Sequence, residues 1–212
     1  MILYDYWRSS SAWRVRIALG LKGLAFERRV VNLAAREQDA PSFRSLNPLG
    51  QVPVLVTDEG TLTQSQAILA YLEDRFPTPS LYPQAPWPRA RANQLAEMMI
   101  SGIQPLQNLS VLAYLRAAGL DDPMAVARHY NARGLAGVEI VARETAGTFL
   151  VGGAPTIADV CLVPQLFSAR RFGVDVAGYP TLVRVEAACA ALPAFRSAHA
   201  DAQTDAKPNP PK

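Results

Sequence analysis

Cysteine is nearly absent from this 212-residue chain: Cys161 and Cys189 are its two cysteines, and the first 160 positions contain none. That excludes a disulfide-built scaffold, a thiol-based zinc site and a thioredoxin-type redox motif. The two thiols are expected to pack as small hydrophobes. Histidine is as scarce, and His129 and His199 have no partner pattern around them. Lysine supplies three of the 21 cations, the other 18 being Arg, and no Lys/Arg block occurs. A formal net charge of +3 without such a block is too weak to imply nucleic acid, and none is expected as a partner. No apolar run approaches the ~18 residues of a membrane span. The start, Met1-Ile2-Leu3-Tyr4-Asp5-Tyr6-Trp7-Arg8, is charged too early for a signal peptide, so a cytosolic protein without membrane contact is expected. With 50% hydrophobic and 18% charged residues the chain is globular, neither disordered nor fibrous.

Proline is plentiful and marks the main boundary. Pro77, Pro79, Pro83, Pro86 and Pro88 crowd one short stretch that is expected to continue neither helix nor strand. Before it, Ile2–Trp7 and Phe26–Asn32 are strand-like, and Trp13–Lys22 reads as a helix stopped by Gly23. Val52–Thr57 and Thr61–Thr63 flank the turn Asp58-Glu59-Gly60 as a hairpin. Ser65 is expected to cap a helix carrying Ile68, Leu69, Leu72 and Phe76. Pro53 near the start of its strand implies an edge position or a cis peptide bond. After the boundary everything reads helical: Arg91–Ala118, Val126–Ala146, a capping box Thr156-Ile157-Ala158-Asp159 opening a helix to about Arg171, and Pro180–Leu192. Pro193–Ala200 reads as a short turn, and Asp201–Lys212 as a loose tail.

Chemistry concentrates at two helix starts. Ser9-Ser10-Ser11 follows the first strand, and three hydroxyls exceed what an N-cap requires; a helix N-terminus after a strand is also an anion site. Gln64-Ser65 is a second polar pair on the same end of the small sheet. Between them Val52-Pro53 opens a strand that a peptide backbone could join. One end to hold a carboxylate, a strand edge for a peptide, and serines for an anionic sulfur together describe a site for a cysteinyl tripeptide. Elsewhere, Asp159 is expected to be structural, Gln107 to hydrogen-bond locally, and Arg14 to serve equally well in a site or on the surface.

The chain resembles the zeta class of glutathione transferases, which includes the maleylacetoacetate and maleylpyruvate isomerases. The resemblance runs from Ile2 to about Phe195. It rests on Arg8-Ser9-Ser10-x-x-Trp13-Arg14-Val15-Arg16-Ile17-Ala18-Leu19, Leu46-Asn47-Pro48, Gln51-Val52-Pro53, Gln64-Ser65, and Gln104-Pro105-Leu106-Gln107-Asn108-Leu109-Ser110. Ala158-Asp159-x-x-Leu162-Val163-Pro164-Gln165 and Arg171-Phe172-x-Val174-Asp175 complete it. The resemblance implies an α/β thioredoxin-like glutathione-binding domain (1–77), an all-α substrate-binding domain (88–200) and a homodimer. It implies glutathione as cofactor, held by Ser9, Ser10, Gln38, Val52, Gln64 and Ser65, with Gln104, Asn108 and Ser110. Ser9, Ser10 and Ser11 are implied at the reacting sulfur, and Arg8 and Arg171 at the carboxylates of a small dianionic keto-acid.

Many relatives read Ser-Ser-Cys where this chain has Ser9-Ser10-Ser11, so here the thiol must come from glutathione. A free thiol pKa near ~8.5 falls at a helix N-terminus with donors. A serine hydrogen bond to the charged sulfur (~1.5–3 kcal/mol) and the helix dipole (~0.3–1 kcal/mol) together lower it by about one to two units. The implied activity is a glutathione-dependent cis–trans isomerisation of maleylacetoacetate or maleylpyruvate. Leu109-Ser110, where some maleylpyruvate-isomerising relatives place Arg, leans toward maleylacetoacetate. The alternatives are a transferase that conjugates or dehalogenates small electrophilic acids, and a silent interaction module, which the presence of Ser9, Ser10, Gln64 and Ser65 disfavours.

Overall fold

The computed structural model describes residues 1–206. The chain forms two compact units: Met1–Ser80 together with the chain from Leu192, and Leu81–Ala191. In the first unit, β1 (Ile2–Asp5), β2 (Glu27–Val30), β3 (Val54–Val56) and β4 (Thr61–Thr63) form, among the described residues, one sheet in the order β2-β1-β3-β4. β2 runs parallel to β1, while β3 is antiparallel to both β1 and β4. The parallel pair requires a crossover, which α1 (Ser10–Leu21) provides. β3 is therefore internal, and Pro53 is accommodated by a cis Val52–Pro53 bond just before it. α2 (Pro41–Arg44) lies in the irregular stretch, and α3 (Ser65–Arg75) follows β4.

α1 is buried on nearly every side, which is why its apolar residues show no one-sided stripe. It packs against α3 and against α9 (Pro193–Ala198). A Cβ at Gly20 would stand 3.2 Å from the Ala194 Cβ, so glycine lets α9 approach closely. The expected turn at 193–200 is thus a helix, because α1 supplies the surface that stabilises it. The loose tail is likewise packed as far as it is described. Asp205 pairs with Arg28 at 2.7 Å and accepts from the Trp7 N–H at 3.2 Å; positions 207–212 lie outside the described residues. Two smaller expectations also shift. α1 begins at Ser10, not Trp13, with Ser9 as its N-cap, and Ser65 is the first residue of α3 rather than its cap.

The second unit contains α4 (Pro86–Ile100), α5 (Leu109–Ala117), α6 (Pro123–Arg143), α7 (Ile157–Arg171) and α8 (Pro180–Ala190). α4 begins inside the proline-rich stretch, since prolines in a first turn remove only N–H groups that have no helical acceptor. The single helix expected over 91–118 is two, separated by a 3₁₀ turn at Gln104–Gln107. Pro105 lacks an N–H, and Ile103 is seated against α6, where a Cβ at Gly134 would lie 2.4 Å from its Cγ1. The 3₁₀ turn is held by a buried amide cluster. Asn131 Nδ2 donates to Gln107 Oε1 at 2.8 Å, and Gln165 Nε2 donates to Asn131 Oδ1 at 2.6 Å. Gln107 therefore bonds across the helical unit rather than locally. The capping box at the start of α7 forms as expected. Asp159 is fully buried and accepts from the Leu150 N–H, the Thr156 N–H and the Thr156 hydroxyl at 2.7–2.9 Å, yet burial pushes its pKa up to about 6.

Candidate active site

The sheet register brings three segments to one edge of the first unit. Tyr4 pairs with Val54, and Val54 with Thr63, on adjacent strands. Because β3 runs opposite to its neighbours, the chain leaving β1, the chain entering β3 and the chain leaving β4 emerge side by side. They carry Arg8-Ser9-Ser10, Val52-Pro53 and Gln64-Ser65.

At the first segment, Ser9 Oγ caps α1 by accepting from the Ala12 N–H at 3.3 Å, which leaves the Ser9 proton for another acceptor. Ser10 is buried at the first helical position, and no acid occupies the first turn. Neither the Ser10 nor the Ser11 hydroxyl bonds to another of the described residues. Uncapped amides, spare hydroxyls and the positive end of a helix dipole make this a place for an anion. Arg8 lies 5.8 Å and 5.7 Å from the Tyr6 and Trp7 ring centroids, with no carboxylate partner among the described residues. Its charge is thereby available to a ligand. The peptide between Tyr6 and Arg8 is framed on both sides: the Trp7 carbonyl accepts from Arg16 at 2.9 Å, and the Trp7 N–H donates to Asp205.

The second segment is set by Asn47, which is buried; its Nδ2 donates to the Gln51 carbonyl at 2.7 Å and its Oδ1 accepts from the Leu49 N–H. The β3 ladder starts at Val54, so the Val52 peptide stands outside it and can pair with an added chain. Gln38 is brought to this loop: its carbonyl lies 2.9 Å from where a Cβ on Gly50 would be, and Gly50 has φ +62. Gln38 Oε1 is buried without a partner among the described residues, an acceptor suited to a donor from a ligand.

At the third segment, Gln64 has φ 67 and ψ 118, a backbone conformation uncommon outside glycine and found at functional sites. α3 has neither a side-chain N-cap nor an acid in its first turn. Ser65 is buried and accepts from Arg14 Nη1 at 3.3 Å. Arg14, balanced between site and surface on sequence grounds, is thus buried beneath the site. The signal for it is a charged residue in a helix whose neighbours Trp13, Val15 and Ile17 are all buried.

Gln104, Asn108, Ser110 and Arg171 belong to the second unit. Asn108 caps α5 and accepts from both the N–H and the hydroxyl of Ser110 at 3.2 Å. Arg171 ends α7 with its guanidinium 5.0 Å from the Phe172 ring centroid, and Phe172 packs with Leu112 of α5 and Ala127 of α6.

Residues 1–74 match the family model for the glutathione S-transferase N-terminal domain, and 135–193 match that for the C-terminal domain. A maleylacetoacetate isomerase from Rattus norvegicus is 44% identical over 96% of this chain and 94% of its own. A solved bacterial maleyl pyruvate isomerase, described as a zeta-class glutathione S-transferase, has a TM-score of 0.95 at 40% identity, covering 98% of this chain and all of its own. This chain belongs to the zeta-class glutathione transferases. The maleylacetoacetate isomerase of Anaeromyxobacter dehalogenans 2CP-1, solved with glutathione in its active site, is 53% identical with a TM-score of 0.89, covering 97% of each chain. The α/β thioredoxin-like unit and the all-α unit are those of this class. No helix among the described residues is long and apolar enough to cross a membrane, and no cluster among them could hold a metal ion.

Proposed function

We propose that this zeta-class enzyme is a glutathione-dependent cis–trans isomerase of a maleyl keto-acid, converting maleylacetoacetate to fumarylacetoacetate or maleylpyruvate to fumarylpyruvate. The carrying observation is that Ser9-Ser10, Val52 and Gln64-Ser65 follow or precede strands at one end of the sheet, in a chain matched nearly end to end by maleylacetoacetate isomerases. The residues present fit glutathione: spare hydroxyls and amides for the sulfur at α1, the Val52 peptide for its backbone, and the open start of α3 for a carboxylate. Gln38 Oε1 offers an acceptor beside the Val52 loop. Residues 1–77 are the glutathione-binding domain and 88–200, apart from the α9 segment that packs on α1, the substrate-binding domain, to which Gln104, Asn108 and Ser110 belong. The protein is a cytoplasmic homodimer.

When bound, glutathione supplies a thiolate whose reversible addition to the cis double bond permits rotation about it, and the tripeptide is not consumed. Ser10 and Ser9 hold that sulfur as an anion by donating to it at the positive end of α1. Arg8 and Arg171 hold the two substrate carboxylates, since a guanidinium pairs with a carboxylate through two parallel bonds. The same positive charge favours the enolate that develops as the double bond is attacked. Because Ser11 replaces a cysteine common in the class, no protein thiol competes for the substrate.

The deciding experiment assays both maleyl substrates with and without sub-stoichiometric glutathione, in the parent and in Arg8→Met. Turnover of either substrate should require glutathione without net consumption, and Arg8→Met should lower kcat/KM by ~2–4 kcal/mol in activation terms. Full isomerisation by glutathione-free protein, or stoichiometric loss of glutathione, would overturn the proposal.

A further inference from the structure

Arg14 is 1% exposed and sits one turn into α1, and its Nη1 donates at 3.3 Å to Ser65 Oγ, 51 positions away at the start of α3. A hydroxyl has one proton and two acceptor lone pairs. Since Ser65 Oγ accepts from Arg14, its own proton is left for a partner other than the guanidinium, and a cationic donor to the oxygen makes that proton a stronger donor. Ser65 is the first residue of α3, whose first-turn amides have neither a side-chain cap nor an acid beside them. Fixed hydroxyl, open amides and a buried guanidinium all favour an anion, and the anionic groups of glutathione other than its sulfur are carboxylates.

We propose that Arg14 is a positioning and specificity residue of the glutathione site, which sets recognition of one of the two glutathione carboxylates through Ser65 without touching the tripeptide. This rests on the isomerase reading, which places glutathione here, and adds a residue that the reading does not use. Arg14 acts through Ser65 at the start of α3 and not through Ser10, so it sets how tightly and how selectively glutathione binds, not how acidic its thiol becomes.

The test is calorimetric binding to the full chain of three ligands: glutathione, an analogue with the glycyl carboxylate amidated, and one lacking the γ-glutamyl α-carboxylate. The parent should prefer glutathione to each analogue. Arg14→Met should bind glutathione about tenfold more weakly, the scale of one charge-assisted hydrogen bond. It should lose the preference against one analogue only, and an Arg14→Met/Ser65→Ala double variant should be no weaker than Ser65→Ala. At saturating glutathione, kcat and its pH profile should stay within about twofold of the parent, since the sulfur site is intact. Arg14→Lys keeps the charge with a single shorter donor and should show an intermediate preference; it carries the test if Arg14→Met does not fold. Additive single effects, or an undiminished preference in Arg14→Met or Arg14→Lys, would overturn the inference while leaving the isomerase reading intact. A parent that binds no glutathione would overturn both.

Discussion

Three adjacent serines do different work because the helix begins between them. Ser9 uses its oxygen as the N-cap of α1, Ser10 is buried at the first helical position, and Ser11 is partly exposed behind it. On the proposed function, a thiolate at the helix mouth takes Ser10 as its main hydroxyl donor, with Ser9 in support. Ser10→Ala should raise the pKa of bound glutathione by about a unit, equivalent to ~1.4 kcal/mol. Turnover should fall most at low pH, where the thiol is already protonated. The thiolate absorbance of the glutathione complex against pH, for Ser10→Ala, Ser11→Ala and the parent, checks this. A titration that moves in Ser11→Ala and stays put in Ser10→Ala would invert the roles.

The start of α7 shows how one element accommodates a buried charge. Three donors favour the charged form of Asp159, but burial outweighs them and sets its pKa near 6, above that of an ordinary carboxyl. The folded protein therefore takes up a proton between about pH 4 and 6 that the unfolded chain lacks. The sign follows: stability is greatest below this window and falls as pH rises through it. The whole effect is about 3 kcal/mol for a shift of roughly two units. Urea unfolding of the parent and Asp159→Asn at pH 5 and pH 7 isolates the contribution. The parent should lose stability relative to the variant on going to pH 7, and a relative gain would mean that the three donors prevail.

At the scale of the whole molecule, the chain end returns to the first unit. Asp5 binds Arg16 and Arg28, Arg28 pairs with Asp205, and Asp205 with Arg16 brackets the Trp7 peptide immediately ahead of Arg8 and Ser9. Two cations and two anions close a neutral ring around the segment that leads into the site, with Arg16 and Asp5 fully shielded from water. Removing one member strands the others, so Asp205→Ala should cost about 1–3 kcal/mol of stability and raise KM for glutathione more than it lowers kcat. Urea unfolding with glutathione titration reads both. Unchanged stability together with unchanged KM would show that the ring does not frame the site.

Local chemistry made much of this protein legible in one dimension. The β-α-β-β-β-α order of the first unit around its irregular stretch, the Thr156–Asp159 capping box and the serine-rich helix start all follow from spacing and propensity. Each depends on contacts within a few residues. What the tertiary structure alone decided depends on partners far along the chain. α9 is a helix because α1 covers it, Asp205 is ordered because Arg28 and the Trp7 amide meet it, and the 91–118 segment breaks because Ile103 must fit against Gly134. Arg14 reaches Ser65 only because α1 packs against α3. The sequence names a charged residue inside a buried helix, but not what it faces, since burial and hydrogen-bond partners are properties of the packed chain.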